Sequence, residues 1–143
     1  MKLQIKQLHP SATIPHYAHP QDAGLDLFAI DPQEILPGET QLIKTGIAIA
    51  LPQGYEAQIR PRSGLALKHS VTVLNSPGTI DAGYRGEIGI ILINHGKKSF
   101  QVVSGMKVAQ MVVTSYVHAE VIFVENLDST SRGQKGFGST GST

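Results

Sequence analysis

A chain of 143 residues, 41% of them hydrophobic and with a net charge of +1, has the size and polarity of one globular domain with a real core. So small a charge gives no field suited to a long nucleic-acid duplex or an anionic membrane as partner. The absence of cysteine removes disulfide frameworks, thiolate zinc sites and cysteine nucleophiles together.

The first stretch, MKLQIKQLHPSATIPHY, has no continuous apolar run behind its lysines, so it does not read as a secretory leader. In HYAH (16–19), His16 and His19 could chelate a metal, but Pro15 and Pro20 make it a loop and no third ligand is suitably spaced. His9, His69, His95 and His118 are scattered. Turn signals then recur at short intervals: LPG (36–38), LPQG (51–54), SPG (76–78), NHGKK (94–98) and SG (104–105). Strand-length runs lie between them. GIAIAL (46–51) alternates large and small apolar residues. YEAQIRPR (55–62) alternates strictly, with Tyr55, Ala57 and Ile59 on one face and Glu56, Gln58 and Arg60 on the other. SGLALKHS (63–70) is the one helical stretch, a turn or two long. EIGIILIN (87–94), QVV (101–103), KVAQMVV (107–113) and AEVIFVE (119–125) are β-branched runs of strand length. The longest apolar run, IGIILI, is far too short to span a bilayer. Many short strands with turns at this spacing predict an all-β sandwich or barrel. The expectation is one soluble, cytoplasmic domain over residues 1–125, followed by a polar, flexible tail over 126–143 that buries too little to order itself.

Three stretches offer chemistry. In PRSGLALK (61–68), a strand gives way to a short helix whose first N–H groups suit a phosphate, with Arg62 as a charged fork, Ser63 as a hydroxyl and Gly64 allowing close approach. An ordinary Ser N-cap beside a solvated arginine explains the same residues. In VLNSPGTIDAGYRGE (73–87), two arms around SPG read as a hairpin. Asn75 offers a donor and an acceptor to an imide edge such as uracil, Asp81 could orient or deprotonate a water, and Tyr84 could lie against a sugar. Turn formation by itself accounts for these Asn, Asp and Gly residues, and on the residues alone it is the leading reading. In GMKVAQMVV (105–113), alternation places Lys107, Ala109 and Met111 on one face and Val108 and Gln110 on the other, so the Gln110 amide needs a partner or faces a site. The tail segment GQKGFGST has the look of a Walker A loop, but Ser139 stands where lysine should be and no helix can follow.

Taken in order, DAGLDLFA (22–29), PRSGLALK (61–68), VLNSPGTIDAGYRGE (73–87), GMKVAQMVV (105–113) and RGQKGFGSTG (132–141) resemble the five motifs of the homotrimeric deoxyuridine triphosphatases, or dUTPases. The likeness covers nearly the whole chain. It implies a distorted jelly-roll-like β-barrel with one short helix near 63–70, three subunits sharing three active sites, and hydrolysis of dUTP to dUMP and diphosphate. That reaction limits uracil incorporation into DNA and supplies dUMP for dTMP synthesis. By the resemblance, Asp81 activates the water that attacks the α-phosphorus. Asn75 and the backbone around Gly78, Thr79 and Ile80 hold uracil, and Tyr84 lies beneath the deoxyribose and blocks a 2′-hydroxyl. Arg62, Ser63 and Gly64 come from a neighbouring subunit to the phosphates, near Lys107 and Gln110. Mg²⁺ is expected on the triphosphate and its waters, with Asp26 and Gln110 reaching it only through water. The tail closes over bound substrate, Arg132 meeting the terminal phosphate, Phe137 stacking on uracil, and Gly138 and Ser139 supplying hydrogen bonds. The likeness implies dUTP and other copies of this chain as the partners.

Two positions depart from the family pattern: Met106 stands where an acidic residue is common and Lys107 where arginine is frequent. The nearest rival enzyme is dCTP deaminase, which needs a glutamate near the cytosine amino group and lacks such a tail. A non-catalytic barrel of the same shape is the rival of another class, and Asp81, Tyr84 and Phe137 argue against it.

Overall fold

The computed structural model describes all 143 residues. Twelve strands and one short helix follow in the order β1 (Gln4–Gln7), β2 (His16–Tyr17), β3 (Gly24–Phe28), β4 (Gln33–Ile35), β5 (Thr40–Lys44), β6 (Ile47–Ala50), β7 (Tyr55–Arg60), α1 (Ser63–His69), β8 (Val71–Val73), β9 (Gly78–Ile80), β10 (Gly89–Asn94), β11 (Phe100–Val102) and β12 (Lys107–Ser115). All pairings are antiparallel. A five-stranded sheet runs β2-β3-β12-β7-β9 and a three-stranded sheet β5-β10-β8, with two-stranded pairs β1-β6 and β11-β4 alongside. The ladders do not close into one ring, so the predicted barrel is an open, jelly-roll-like wrapping of several sheets around one core.

That core is a cluster of 22 buried residues drawn from both large sheets and both small pairs. Alternation builds it. In β7, Ala57 and Ile59 are buried and Tyr55 packs against the cluster, while Arg60 faces solvent. In β10, Ile90, Leu92 and Asn94 point inward in turn. Positive-φ glycines sit at three of the predicted turns, with φ of 81° at Gly38, 89° at Gly54 and 80° at Gly105.

Asn94 shows how a polar group earns a place in that core. It is fully buried; its amide donates to Ile35 O at 2.9 Å and Lys98 O at 2.8 Å, and its oxygen accepts from Gly96 N at 2.8 Å. Three backbone groups of the 94–98 turn and of β4 are satisfied by one side chain.

Four local expectations change. The arms of 73–81 do not pair as a hairpin: β8 joins β10 in one sheet and β9 joins β7 in the other, so the connection crosses between sheets. Strand β12 is not a simple alternation, because the ladder with β3 shifts register between Lys107 and Ala109. The cap of α1 is Arg62, extended and without a side-chain capping bond to the helix, so Ser63 is the first helical residue rather than the N-cap. Residues 119–125 form no strand despite their β-branched run. A strand needs a partner edge as well as propensity, and this segment pairs with none of the chain's strands.

Asn94→Ala is expected to lower stability by about 3 kcal/mol, because three backbone groups lose their partner at once. Urea unfolding measures it, and a loss under about 1 kcal/mol would remove this role for Asn94.

Candidate active site

The crossover between β8 and β9 makes the first depression. Leaving β8, Leu74 N donates to Ile91 O at 2.8 Å, the Ser76 hydroxyl donates to Val73 O, and the Ser76–Pro77 peptide is cis. The chain then enters β9 at Gly78, opposite Ile59. A side chain at Gly78 would press on Asn75 Nδ2 and Ile59 Cβ, each 3.3 Å from where its Cβ would stand, so glycine keeps the space clear. The resulting pocket, about 250 Å³, is lined by Ile59, Val73, Asn75, Gly78, Thr79, Ile80, Asp81, Tyr84, Glu87, Gly89 and Ile91. Its lining mixes aliphatic side chains, among them Ile59, Val73 and Ile91, with the polar groups of Asn75, Thr79 and Asp81, a mixture that a flat base with a hydrogen-bonding edge requires. Neither the Asn75 amide nor the Asp81 carboxylate has a side-chain hydrogen bond or ion pair within the chain. Both are exposed and free to meet a ligand or water.

The second depression, about 500 Å³, lies where β3, β12 and the start of α1 meet, and includes Asp26, Arg62, Ser63, Gly64, Lys107 and Gln110. The bulge in β12 creates it. Strict alternation would put Lys107 and Gln110 on opposite faces; the extra residue sends Val108 into the core, 1% exposed, and leaves Lys107 and Gln110 facing the same cleft. Gln110 Nε2 donates to Pro61 O at 3.0 Å, and its amide oxygen fills the space that a side chain at Gly24 would take. Gly24 is therefore glycine to admit Gln110.

Asp26 organises the charge there. Its carboxylate is almost buried; Lys107 Nζ lies 2.7 Å from Oδ2, without hydrogen-bond alignment, and Arg62 Nε lies 3.6 Å from Oδ1. Arg62 Nη1 also donates to Lys107 O at 3.2 Å, tying the start of α1 to β12. Arg62 and Lys107 balance the Asp26 and Asp22 carboxylates in formal charge, so the cleft offers an anion the N–H donors of its two cations rather than a net field. The extended Arg62 cap leaves the first N–H groups of α1 without a side-chain partner, which adds donors of the same polarity.

The predicted residues thus fall into two groups that share no lining residue. Asn75, Gly78, Thr79, Ile80, Asp81 and Tyr84 surround the first pocket, and Asp26, Arg62, Ser63, Gly64, Lys107 and Gln110 the second. Arg132, Phe137, Gly138 and Ser139 line neither. Residues 116–143 contain no strand or helix, Phe137 is wholly exposed, and hydrogen bonds around the fifth motif are local, such as Arg132 Nε to Lys135 O at 3.0 Å. Sequence reasoning missed Glu87 and Gly24 as individual residues, although both lie inside motifs it singled out. It also missed Asp22, whose carboxylate accepts from His19 N at 2.9 Å beside the second cleft.

Known proteins share this architecture. A dUTPase family model matches residues 10–141. The chain is 67% identical over 141 residues to the deoxyuridine 5'-triphosphate nucleotidohydrolase of Trichodesmium erythraeum, covering 99% of each. It is 62% identical over 143 residues to that of Gloeothece citriformis, covering 100% of this chain and 99% of the relative. Among solved structures it is similar to a mutant dUTPase of Staphylococcus bacteriophage 80alpha with dUpNHpp, at TM-score 0.91 and 30% identity over 98% of each chain. A mutant dUTPase from phage phi11 of S. aureus, described for its coordination of a structural Mg(II) ion, matches at TM-score 0.82 and 28% identity, covering 88% of this chain and 98% of that one. With relatives this close along its full length and the same fold beneath them, the chain belongs to the dUTPase family.

Proposed function

We propose that this chain hydrolyses dUTP to dUMP and diphosphate, with Asp81 as the group that activates water. The observation that carries the assignment of Asp81 is its unpartnered carboxylate on the rim of a pocket edged by Asn75 and Tyr84. Uracil enters against Asn75 and the β9 backbone, with deoxyribose over Tyr84. Asp81 orients a water and takes its proton as the oxygen bonds to the α-phosphorus. The bond from that phosphorus to the bridging oxygen breaks, and diphosphate leaves. The N–H donors of Arg62 and Lys107, with the α1 N–H groups, stabilise the departing oxyanion.

Magnesium fits this site as an ion carried in by the nucleotide. No three His, Asp or Glu side chains come together to hold one, and Asp26 already faces two cations. Asp26 and Gln110 would reach such an ion only through its waters, which would suit a cation that keeps its hydration. When bound, it supplies charge neutralisation on the phosphates.

The active unit is a homotrimer whose sites are shared between copies. Two features support this. The residues assigned to the nucleoside and to the phosphates line separate depressions that share no residue, as they would if one triphosphate spanned two copies. The segment after β12 also leaves Val117, Val121, Phe123 and Leu127 between 86% and 93% exposed, apolar surface that a partner would cover. Residues 126–143 then act as a lid, bringing Arg132 to the phosphates and Phe137 to the base, and excluding water as they close.

Asp81→Asn is expected to cut kcat for dUTP by roughly a thousandfold while leaving affinity for a non-hydrolysable analogue nearly unchanged. Near-normal diphosphate release would sink the assignment. Removing residues 131–143 should lower kcat by roughly a hundredfold or more with the oligomer intact; normal turnover by the truncated protein would rule out the lid. Co-refolding equal amounts of Asp81→Asn and Arg62→Ala chains, each nearly inactive alone, should rebuild roughly a quarter of the sites if one copy supplies Asp81 and another Arg62. No recovery in the mixture would mean that each chain supplies both.

A further inference from the structure

Glu87 lines the nucleoside pocket but has no part in the chemistry above. Its connections lead elsewhere. The Tyr84 hydroxyl donates to Glu87 O at 3.0 Å, closing a tight loop over Gly86, where any Cβ would run into the phenol. The Glu87 carboxylate in turn accepts from Gly46 N at 2.9 Å. Next to it, the Thr45 hydroxyl donates to Ile88 O at 2.5 Å and Ile88 N donates to Ile47 O at 2.9 Å. Three bonds therefore pin residues 87–88 to the 45–47 turn.

That turn has little freedom of its own. Thr45 is 1% exposed, and Gly46 has φ of 68°. A Cβ on Gly46 would stand 2.9 Å from the Ala12 side chain and 3.0 Å from that of Ile30, so the backbone is wedged against the core. Its N–H has one direction available, and the Glu87 carboxylate occupies it. Tyr84, by contrast, is 45% exposed, and its ring has only its hydroxyl bond and the Gly86 gap to hold it. A ring that excludes one hydroxyl from a sugar must stand still to within a fraction of that hydroxyl's size.

From this geometry we infer that Glu87 is a positioning residue for sugar discrimination, latching the Tyr84 loop to the buried Thr45–Gly46 turn so that the ring keeps ribose out. The inference rests on the reading of Tyr84 as the surface beneath the deoxyribose. The latch needs an acceptor at the position of the Glu87 carboxylate oxygen and does not need its charge, because the donor is a neutral backbone N–H. An aspartate is one methylene short of that acceptor position.

The test is kcat/KM for dUTP and UTP side by side, with melting temperatures, for wild type, Tyr84→Ala, Glu87→Ala, Glu87→Gln and Thr45→Val. Tyr84→Ala is expected to collapse the preference for dUTP. Glu87→Ala should reduce it by about tenfold, the worth of one hydrogen bond to an otherwise unpaired buried donor, chiefly through improved use of UTP. Glu87→Gln, which keeps an oxygen for Gly46 N–H, should restore most of the preference. Thr45→Val, which removes a neighbouring pin and keeps the shape, should move the ratio the same way as Glu87→Ala, and it carries the test if Glu87→Ala does not fold. Equal losses on both substrates with a lower melting temperature would make Glu87 merely structural, and a Gln variant that behaves like Ala would put the effect in the charge; either overturns the inference. If Tyr84→Ala itself leaves the ratio unchanged, the sugar reading fails and the latch with it. A collapse with Tyr84→Ala but none with Glu87→Ala or Thr45→Val sinks the latch alone.

Discussion

The architecture depends on the double pairing of β12. It lies in the middle of the five-stranded sheet, with residues 107–112 laddered to β3 around the bulge and residues 110–115 laddered to β7, so that residues 110–112 are held on both edges. A strand held on both edges cannot slide, because a slip of one residue would exchange its buried and exposed faces. The bulge at Val108 is the one place where that constraint is relaxed. It adds a buried valine to the core and turns Lys107 to the side of Gln110. Cation, amide and the Asp26 carboxylate opposite Gln110 are thereby set by backbone pairing rather than by flexible loops.

Two aspartates show how environment assigns roles to one side chain. Asp26 is nearly buried, and two cations flank it; its charge holds Arg62 and Lys107 in place and is spent in doing so. Both cations remain more than a third exposed, so the attraction is screened and serves orientation more than stability. Asp81 sits at the end of β9 with no internal partner. A carboxylate without a bound cation or donor keeps its lone pairs for a water. On the proposed reading, the structural charge then lies in the cleft around Asp26 and the reactive one on the rim of the pocket that Asn75 and Tyr84 line.

An isolated chain has two depressions that share no lining residue and an apolar segment without cover. One process, association with other copies, would answer both. On the proposed reading, folding, assembly and completion of the site would be linked, and ordering of the glycine-rich end would be offset only by a bound nucleotide. Phe137, wholly exposed, adopts φ of 46°, a conformation held in a chain of isolated turns rather than in a packed element.

Much of this was legible from residues in line. Alternation in YEAQIRPR and the turn signals around Gly38, Gly54 and Gly105 are local, set by side-chain period and backbone sterics, and they announced an all-β fold. The five motifs in order announced the family and named six of the residues that line each depression. Tertiary structure alone decided which sheet each arm of 73–81 joins, that β12 bulges, that Arg62 rather than Ser63 caps α1, and that 119–125 forms no strand. Each of these turns on a partner distant in sequence, and propensity carries no record of which edge is free. The roles of Gly24, Gly46 and Glu87 were hidden for the same reason: a glycine's purpose lies in the atom that would otherwise be displaced, and that atom belongs to another part of the chain.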